Sequence, residues 1–236
     1  MGPQTSPGTY TAPSTLVGKG IYPIPEAARL SKVSPRRIRY WLNRFDSETA
    51  RERHTLWQGE LQPIDDKIVL SFLDLQEVRF VQKFLELGVS WKILRVAHEV
   101  ARKRYNTEHP FCTRKFATDG KYIIEELKNQ SSSIEFEEIE KTQKVFPSVV
   151  RPFIRDLDFS DNRLLRWWPL SRNKNVVLDP HRQFGRPIVS DAGVATEILF
   201  LAVKAGQSER EVANWYEVKE SDIRDAIDFE EWLAAA

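Results

Sequence analysis

The chain has 236 residues, enough for one or two domains, and its 41% hydrophobic and 29% charged residues are typical of an ordinary globular protein. A single cysteine, Cys112, excludes an internal disulfide, and the longest notable apolar run, 198–203, is too short to cross a bilayer. The N-terminus lacks the basic and apolar regions of a signal peptide, so we expect a soluble protein of the cytoplasm.

The formal net charge of +1 conceals two oppositely charged segments. Six basic and no acidic residues lie between Arg29 and Phe45, whereas nine acidic and three basic residues follow from Gly206 onward. Such an asymmetry between the two ends suggests that they meet different partners.

The N-terminal segment predicts an arm followed by two short helices. Residues 1–18 are rich in Pro, Gly, Ser and Thr, which predicts a disordered arm. A first helix follows at EAARL, and Ser34 and Pro35 fit the N-cap and first position of a second helix. Because only about three residues separate the two helices, the pattern indicates a helix-turn-helix.

The second helix separates apolar from basic residues. At about 100° per residue, Ile38, Trp41, Leu42 and Phe45 form one core-facing stripe. The opposite side is free of carboxylates and carries groups that hydrogen-bond phosphates and base edges. We therefore predict that this face binds DNA, although it could also be an ordinary solvated face. Its residues are Arg36, Tyr40 and Asn43 at the centre, with Arg37, Arg39 and Arg44 beside them and Ser34 at the helix start.

Two stretches, YPIPEAARLSKVSPRRIRYWLNRF and FLDLQEVRFVQKFLELGVSWKILRVA, resemble the helix-turn-helix and the following helical pair of MerR-type regulators. The resemblance implies a winged DNA-binding domain over residues 19–106. The wing would span 46–71, with Arg51, Arg53 and His54 as contacts to the DNA backbone. The helical pattern ends near Asn106 and Pro110, so the long coiled-coil helix of MerR-type sensors is absent from the pattern.

Residues 107–160 predict a connecting region with a short β-hairpin. Asp119-Gly120 reads as a turn leading into a strand, and IEFEEIEKTQKVF reads as its partner strand, with a helix at SSSIEFEEIEK as the alternative. Asp156, Asp158 and Asp161 lack the glycine and distal glutamate of a calcium loop, so no metal site is predicted.

Residues 161–236 predict a β-hairpin followed by three helices. Two short strands between 176 and 189 flank a turn at Phe184-Gly185. The first helix covers about 196–205 and ends at Gly206, while Ser208 and Ser221 are the expected N-caps of the second and third helices. The helices also have helix-turn-helix spacing, but the acidic last helix would repel phosphates. This module is therefore interpreted as a degenerate helix-turn-helix that contacts protein, either in dimerisation or in binding a toxin.

The elements DPHRQFGRPIV, KAGQSEREVANWYEV and ESDIRDAI resemble a small uncharacterised family found among VapB-type antitoxins. Together with the MerR-like segment, this resemblance implies an antitoxin of a toxin–antitoxin system. Such a protein would neutralise a PIN-domain ribonuclease toxin by direct binding and repress its own operon as a DNA-bound homodimer or higher oligomer. The alternatives are a stand-alone MerR-like regulator and a phage-type DNA-binding adaptor.

Several C-terminal residues are candidates for contact with the toxin. Asp222, Asp225, Asp228 and Glu231 are expected to face outward on the last helix, where Asp225 and Asp228 could bind a basic flank of the toxin. Because PIN-type active sites are acidic, Arg182 and Arg186 are better candidates for blocking one. Aromatic residues often anchor interfaces, although burial in the local core is an equal alternative for each. The aromatic candidates are Trp215, Tyr216 and Trp232.

No catalytic pattern is present in the sequence. The four histidines are scattered without ligand spacing, and there is no nucleophile elbow or dinucleotide-binding fingerprint. We therefore predict a mainly α-helical protein with small β elements that is not an enzyme and needs no cofactor.

Overall fold

The computed structural model describes residues 16–42, 56–129 and 133–235. Most of the predicted arm lies outside these residues, as do Asn43, Arg44, Arg51, Arg53 and His54. Within the described residues the fold is mainly helical, with two small antiparallel sheets.

The N-terminal region contains the two predicted helices. Strand β1 (Tyr22–Pro23) leads into α1 (Ile24–Ser31), and α2 (Pro35–Leu42) follows after a three-residue turn. The turn begins at Lys32, whose φ of 58° is left-handed, and the Arg37 amide donates to Ser34 Oγ at the start of α2 over 3.4 Å. Ile38, Trp41 and Leu42 are buried as the predicted stripe requires.

A second helical pair follows, in agreement with the sequence prediction. Strand β2 (Val69–Leu70) pairs antiparallel with β1, and α3 (Phe72–Glu86) and α4 (Trp91–Tyr105) come next. Ser71 and Asp74 form a capping box at the start of α3. The left-handed Asn106 caps the C-terminus of α4.

The predicted β-hairpin at 107–160 is wrong. A short 3-10 helix (Pro110–Cys112) is followed by α5 (Arg114–Asn129) and α6 (Ser133–Arg155), which pack together. Gly120 marks a close approach of helices and not a turn, since a Cβ placed there would lie 2.5 Å from Phe146 Cζ. The alternative of a helix at SSSIEFEEIEK is the correct one.

Four strands form one antiparallel sheet in the C-terminal half. Its order is β3-β4-β5-β6, with β3 at Leu157–Ser160, β4 at Arg163–Trp167, β5 at Val176–Leu178 and β6 at Pro187–Val189. The β5–β6 hairpin was predicted, and a 3-10 turn at Gln183–Gly185 lies between its strands. The β3–β4 hairpin was not predicted. Its turn consists of residues 161 and 162, so the hairpin spans the expected boundary between residues 160 and 161.

Three helices follow the sheet, as predicted. They are α7 (Thr196–Lys204), α8 (Glu209–Trp215) and α9 (Glu220–Ala234). Ser208 caps α8 through a capping box with Glu211. Ser221 does not cap α9, because the helix begins one residue earlier and Asp222 accepts the Lys219 amide over 3.1 Å.

One large hydrophobic cluster joins the N-terminal helices, the sheet and α9. It extends from Tyr22 to Leu233, and the Tyr22 hydroxyl donates to the Gly185 carbonyl over 2.7 Å. A smaller cluster holds α7, α8 and the middle of α9 together around Leu199, Val212 and Ile223. The segments 19–106, 107–160 and 161–236 therefore share a core.

Candidate nucleic-acid interface and partner surfaces

The outward face of α2 is exposed and basic. Ser34, Arg36 and Arg37 are exposed, Tyr40 is 47% exposed, and Arg39 is half-buried. Within the described residues, Arg36 forms no hydrogen bond or ion pair, and α2 contains no carboxylate. A guanidinium without an internal partner can hydrogen-bond phosphate or the edge of guanine, so this face has the chemistry of a DNA contact.

Arg37 differs from Arg36 because part of its side chain is held by the protein. Its Nη1 donates to Gln82 Oε1 of α3 over 3.2 Å, and its guanidinium lies 5.6 Å from the centre of the Trp41 ring. A guanidinium held in place by its own protein is suited to a phosphate contact, because phosphates occupy the same position whatever the DNA sequence.

The back of the α1–α2 pair is held by aromatic residues. Trp41 stacks on Trp91 of α4 at 5.8 Å between ring centres. In the turn, Lys32 Nζ donates to the Trp232 carbonyl over 2.5 Å and lies 4.0 Å from the centre of that ring. The C-terminal helix α9 therefore contacts the turn that orients α2.

Asp74 joins the base of the predicted wing to α3. Its buried carboxylate accepts Trp57 Nε1 over 2.8 Å, the Glu60 amide over 3.1 Å and the Ser71 amide over 2.9 Å. Three hydrogen bonds to one charged group fix the chain on the C-terminal side of the segment where Arg51 and Arg53 occur.

Two buried ionisable side chains lie behind Asp74. Burial raises the pKa of Glu77 well above its ordinary value and lowers the pKa of His98 to about 3, so the imidazole is neutral at pH 7. Glu77 Oε1 accepts the Phe111 amide over 3.0 Å, and Glu77 Oε2 lies 3.8 Å from His98 Nε2. Burial also raises the pKa of the Cys112 thiol, which makes it a poor nucleophile.

Arg79 packs against two aromatic rings of its own chain. Its guanidinium lies 3.6 Å from the centre of the Trp167 ring and 4.5 Å from that of Phe153, so it connects α3 to β4 and α6. Burial lowers the pKa of Arg79 to about 9. Arg79 is thus half-buried against aromatic rings, whereas Arg36 and Arg37 of α2 are exposed.

The two candidate arginines near the β5–β6 hairpin have different surroundings. Arg182 is half-buried, and its Nη1 donates to the Ser190 carbonyl over 2.5 Å. Arg186 is exposed. Beside them Phe184, which we did not single out as a contact residue, is 58% exposed with a left-handed φ of 54°.

The three candidate aromatic anchors also differ. Trp215 is 62% exposed and Tyr216 is 36% exposed, so both remain available to a partner. Trp232 is half-buried, with ring centres 5.7 Å from Phe229 and 6.5 Å from Trp167. For Trp232 the structure favours the alternative of packing against the core.

The prediction that Asp222 and Asp225 face outward is wrong. Both are buried, because they fasten α9 to the chain just before β5. Asp225 accepts the Asn175 amide over 2.8 Å and pairs with Lys174 at 3.0 Å, and Asp222 accepts Asn175 Nδ2 over 3.0 Å. Asp228 is exposed but pairs with Lys174 at 2.8 Å.

Sequence reasoning missed an exposed apolar face on α7. Ile198 is 45% exposed and Leu201 is 54% exposed, whereas Leu199 between them is fully buried. The signal was present as the apolar run 198–203, because six consecutive apolar residues in a helix cover more than the side that faces the core.

Neither a metal site nor a membrane span is found within the described ranges. No group of three or more His, Cys, Asp and Glu side chains among these residues could hold a metal ion. None of the helices formed by these residues combines the length and the apolar character that a bilayer crossing requires.

Comparisons with known proteins agree with the observed fold. Residues 176–229 match a family described as "Protein of unknown function (DUF433)". In an alignment 222 positions long that covers 88% of this chain and 92% of the relative, the chain is 23% identical to a Mycobacterium tuberculosis protein named "Putative antitoxin VapB45". The crystal structure of Rv2018 from M. tuberculosis has the same fold, with a TM-score of 0.71 and 22% identity over 87% of this chain and 96% of that one. Together the sequence matches support an antitoxin-like protein.

Proposed function

We propose that this chain is the antitoxin of a type II toxin–antitoxin system, acting in the cytoplasm. Its N-terminal region binds operator DNA, and its C-terminal module binds and neutralises a ribonuclease toxin of the PIN-domain class. The similarity to "Putative antitoxin VapB45" spans nearly the whole of both chains, which supports one shared architecture and not a single borrowed domain.

The observation that carries the DNA-binding half of the proposal is the outward face of α2. Arg36 is exposed and has no internal partner among the described residues, while Ile38, Trp41 and Leu42 on the opposite side hold the helix to the core. A basic helix presented in this way fits the major groove.

The side chains of α2 divide into two roles in this proposal. Arg36 and Tyr40 approach base edges, and Asn43 is assigned the same role, whereas Arg37 and Arg39 hold phosphates. Ser34 at the helix start, together with Arg44, Arg51 and Arg53, adds further backbone contacts. In a dimer, two such helices would enter successive major grooves about 34 Å apart.

The toxin-binding half of the proposal rests on the exposed residues of the C-terminal module. Trp215 and Tyr216 supply aromatic surface, which dominates interface energetics. Arg186 is the exposed cation that could approach an acidic PIN-type active site, with Arg182 beside it. Asp225 and Trp232 contribute by holding α9 in place, and Asp228 is the acidic side chain left at the surface.

Co-purification tests the proposal directly. The full chain is expressed with the product of its neighbouring gene, and a single complex is expected on a sizing column. Trp215→Ala should weaken that complex by about 2 kcal/mol or more, whereas Lys144→Ala, an exposed side chain on α6, should leave it unchanged. Operator binding without any toxin partner would favour the stand-alone regulator instead.

A further inference from the structure

Helix α7 presents one side to the core and one side to solvent. Thr196 and Leu199 are buried, while Ile198 and Leu201 are about half exposed. At 100° per residue, Ile198 and Leu201 lie one turn apart on the same outer face, and the exposed Ala205 continues it just after the helix. Large apolar side chains that share one surface in this way mark a place of contact with another protein.

Opposite charges lie at the two ends of this face. Glu197 is exposed in the first turn and Lys204 is exposed in the last turn. Lys204 Nζ lies 4.9 Å from the centre of the Phe200 ring, and neither charge has an ion-pair partner among the described residues.

Neighbouring carboxylates favour the binding of a cation beside Glu197. Burial raises the pKa of Glu26 and of Glu230, and the nearby Glu197 carboxylate raises both further, so three carboxylates lie near one another at this end of α7. Arg29 and Arg186 lie near Glu26 and oppose part of the rise in its pKa. An additional cation at Glu197 would therefore be attracted to this end.

We infer that α7 pairs with α7 of a second copy of this chain, antiparallel across a two-fold axis. An axis passing between Phe200 and Leu201 places Glu197 of each copy opposite Lys204 of the other, so the same ion pair forms twice. Ile198 and Leu201 of both copies fill the space between the two ion pairs. The face is thus self-complementary, as a two-fold interface requires.

The size of this face sets the strength of the contact. A nine-residue helix is about 13 Å long, so the α7 pair alone buries less than the roughly 800 Å² per partner of a standard interface. The expected dimer is therefore reversible and depends on protein concentration. It depends neither on DNA nor on a toxin, and measurements on the isolated chain separate it from the proposed function.

Sedimentation equilibrium of the full chain tests the inference. The 27.5 kDa chain should approach twice its mass as its concentration rises, and Leu201→Glu should abolish the increase. Glu197→Lys and Lys204→Glu should each weaken self-association roughly tenfold, because each places like charges opposite one another. Combining the two changes should restore it, because each Lys–Glu pair re-forms with its charges exchanged. Lys144→Glu, an exposed reversal on α6, should have no effect.

Three results would overturn the inference. The first is a wild-type chain that stays monomeric up to about 100 µM. The second is a double variant that associates no better than the single reversals, since only a face that meets itself restores both pairs. The third is a Leu201→Glu variant that still dimerises but loses a co-purifying toxin, which would assign the α7 face to the toxin. The surface changes leave the buried Leu199 side intact, and circular dichroism verifies that each variant is folded.

Discussion

The helices α2 and α9 both follow a short turn and both carry many charged residues, yet the protein uses their charges in opposite ways. On α2 the exposed Arg36 has no internal partner among the described residues, and no carboxylate is present in the helix. On α9 the carboxylates of Asp222 and Asp225 are buried against Asn175 and Lys174. Arg36 of α2 therefore remains available to a partner, whereas Asp222 and Asp225 attach α9 to the segment just before β5.

The difference teaches that a run of like charges does not by itself define a binding surface. Nine acidic residues follow Gly206, but Asp222 and Asp225 accept hydrogen bonds from their own chain and are removed from the surface. The acidic surface left on α9 is smaller than the sequence indicates, with Glu220, Asp228 and Glu231 exposed. A charged side chain stays available to a partner only when its own chain places no oppositely charged or hydrogen-bonding group in contact with it.

The largest expected effect tests whether α9 is part of the core. Phe229 is fully buried next to Trp232, so Phe229→Ala should lower the free energy of unfolding by about 3–5 kcal/mol. The matched change Trp215→Ala removes a 62% exposed aromatic side chain and should alter stability by no more than about 0.5 kcal/mol. Chemical denaturation measures both, and equal effects would contradict the distinction between the two aromatic residues.

A smaller effect tests how α9 is fastened. Asp225→Ala removes the acceptor of the Asn175 amide and a partner of Lys174, and should cost roughly 2–3 kcal/mol of stability. Asp228→Ala removes an exposed partner of the same lysine and should cost less than about 1 kcal/mol. The same denaturation experiment compares them, and an Asp225→Ala variant as stable as wild type would return this residue to the list of surface contacts.

Helical periodicity made the N-terminal pair predictable from the sequence. Ile38, Trp41 and Leu42 occupy the stripe that their spacing requires, and Ser34 lies at the helix start. The hairpin at 107–160 could not be corrected in the same way. Gly120 is a turn signal in sequence, and only the close approach of Phe146 explains it inside a helix.

The candidate site was predictable only where function depends on one helix. The exposed position of Arg36 follows from the phase of α2, whereas the burial of Asp225 depends on Lys174 and Asn175, about fifty positions earlier. Likewise, the sequence could not indicate which side of the apolar α7 would remain exposed at Leu201. Contacts between distant segments are not encoded in local periodicity.

On the DNA-binding side of the comparison, Arg36→Ala should weaken operator binding by about 1–3 kcal/mol and relax sequence preference. Its stability should stay unchanged, because Arg36 is exposed and without an internal partner in the described residues. Arg210→Ala removes an exposed arginine from the acidic C-terminal module and is the matched control. Fluorescence anisotropy with labelled operator DNA measures both affinities. Equal losses in the two variants would mean that overall charge, and not the α2 face, binds DNA.

The most direct measurement is a salt titration of operator binding by the full chain and by Arg36→Ala. The logarithm of the wild-type association constant should fall steeply and linearly with the logarithm of salt concentration, because each neutralised phosphate releases counterions. Because Arg36 is assigned to base edges, Arg36→Ala should lower affinity at an unchanged slope and relax sequence preference, whereas loss of a phosphate contact would reduce the slope by about one. A flat wild-type response, or a variant identical to wild type in both slope and affinity, would contradict the assignment of DNA binding to α2.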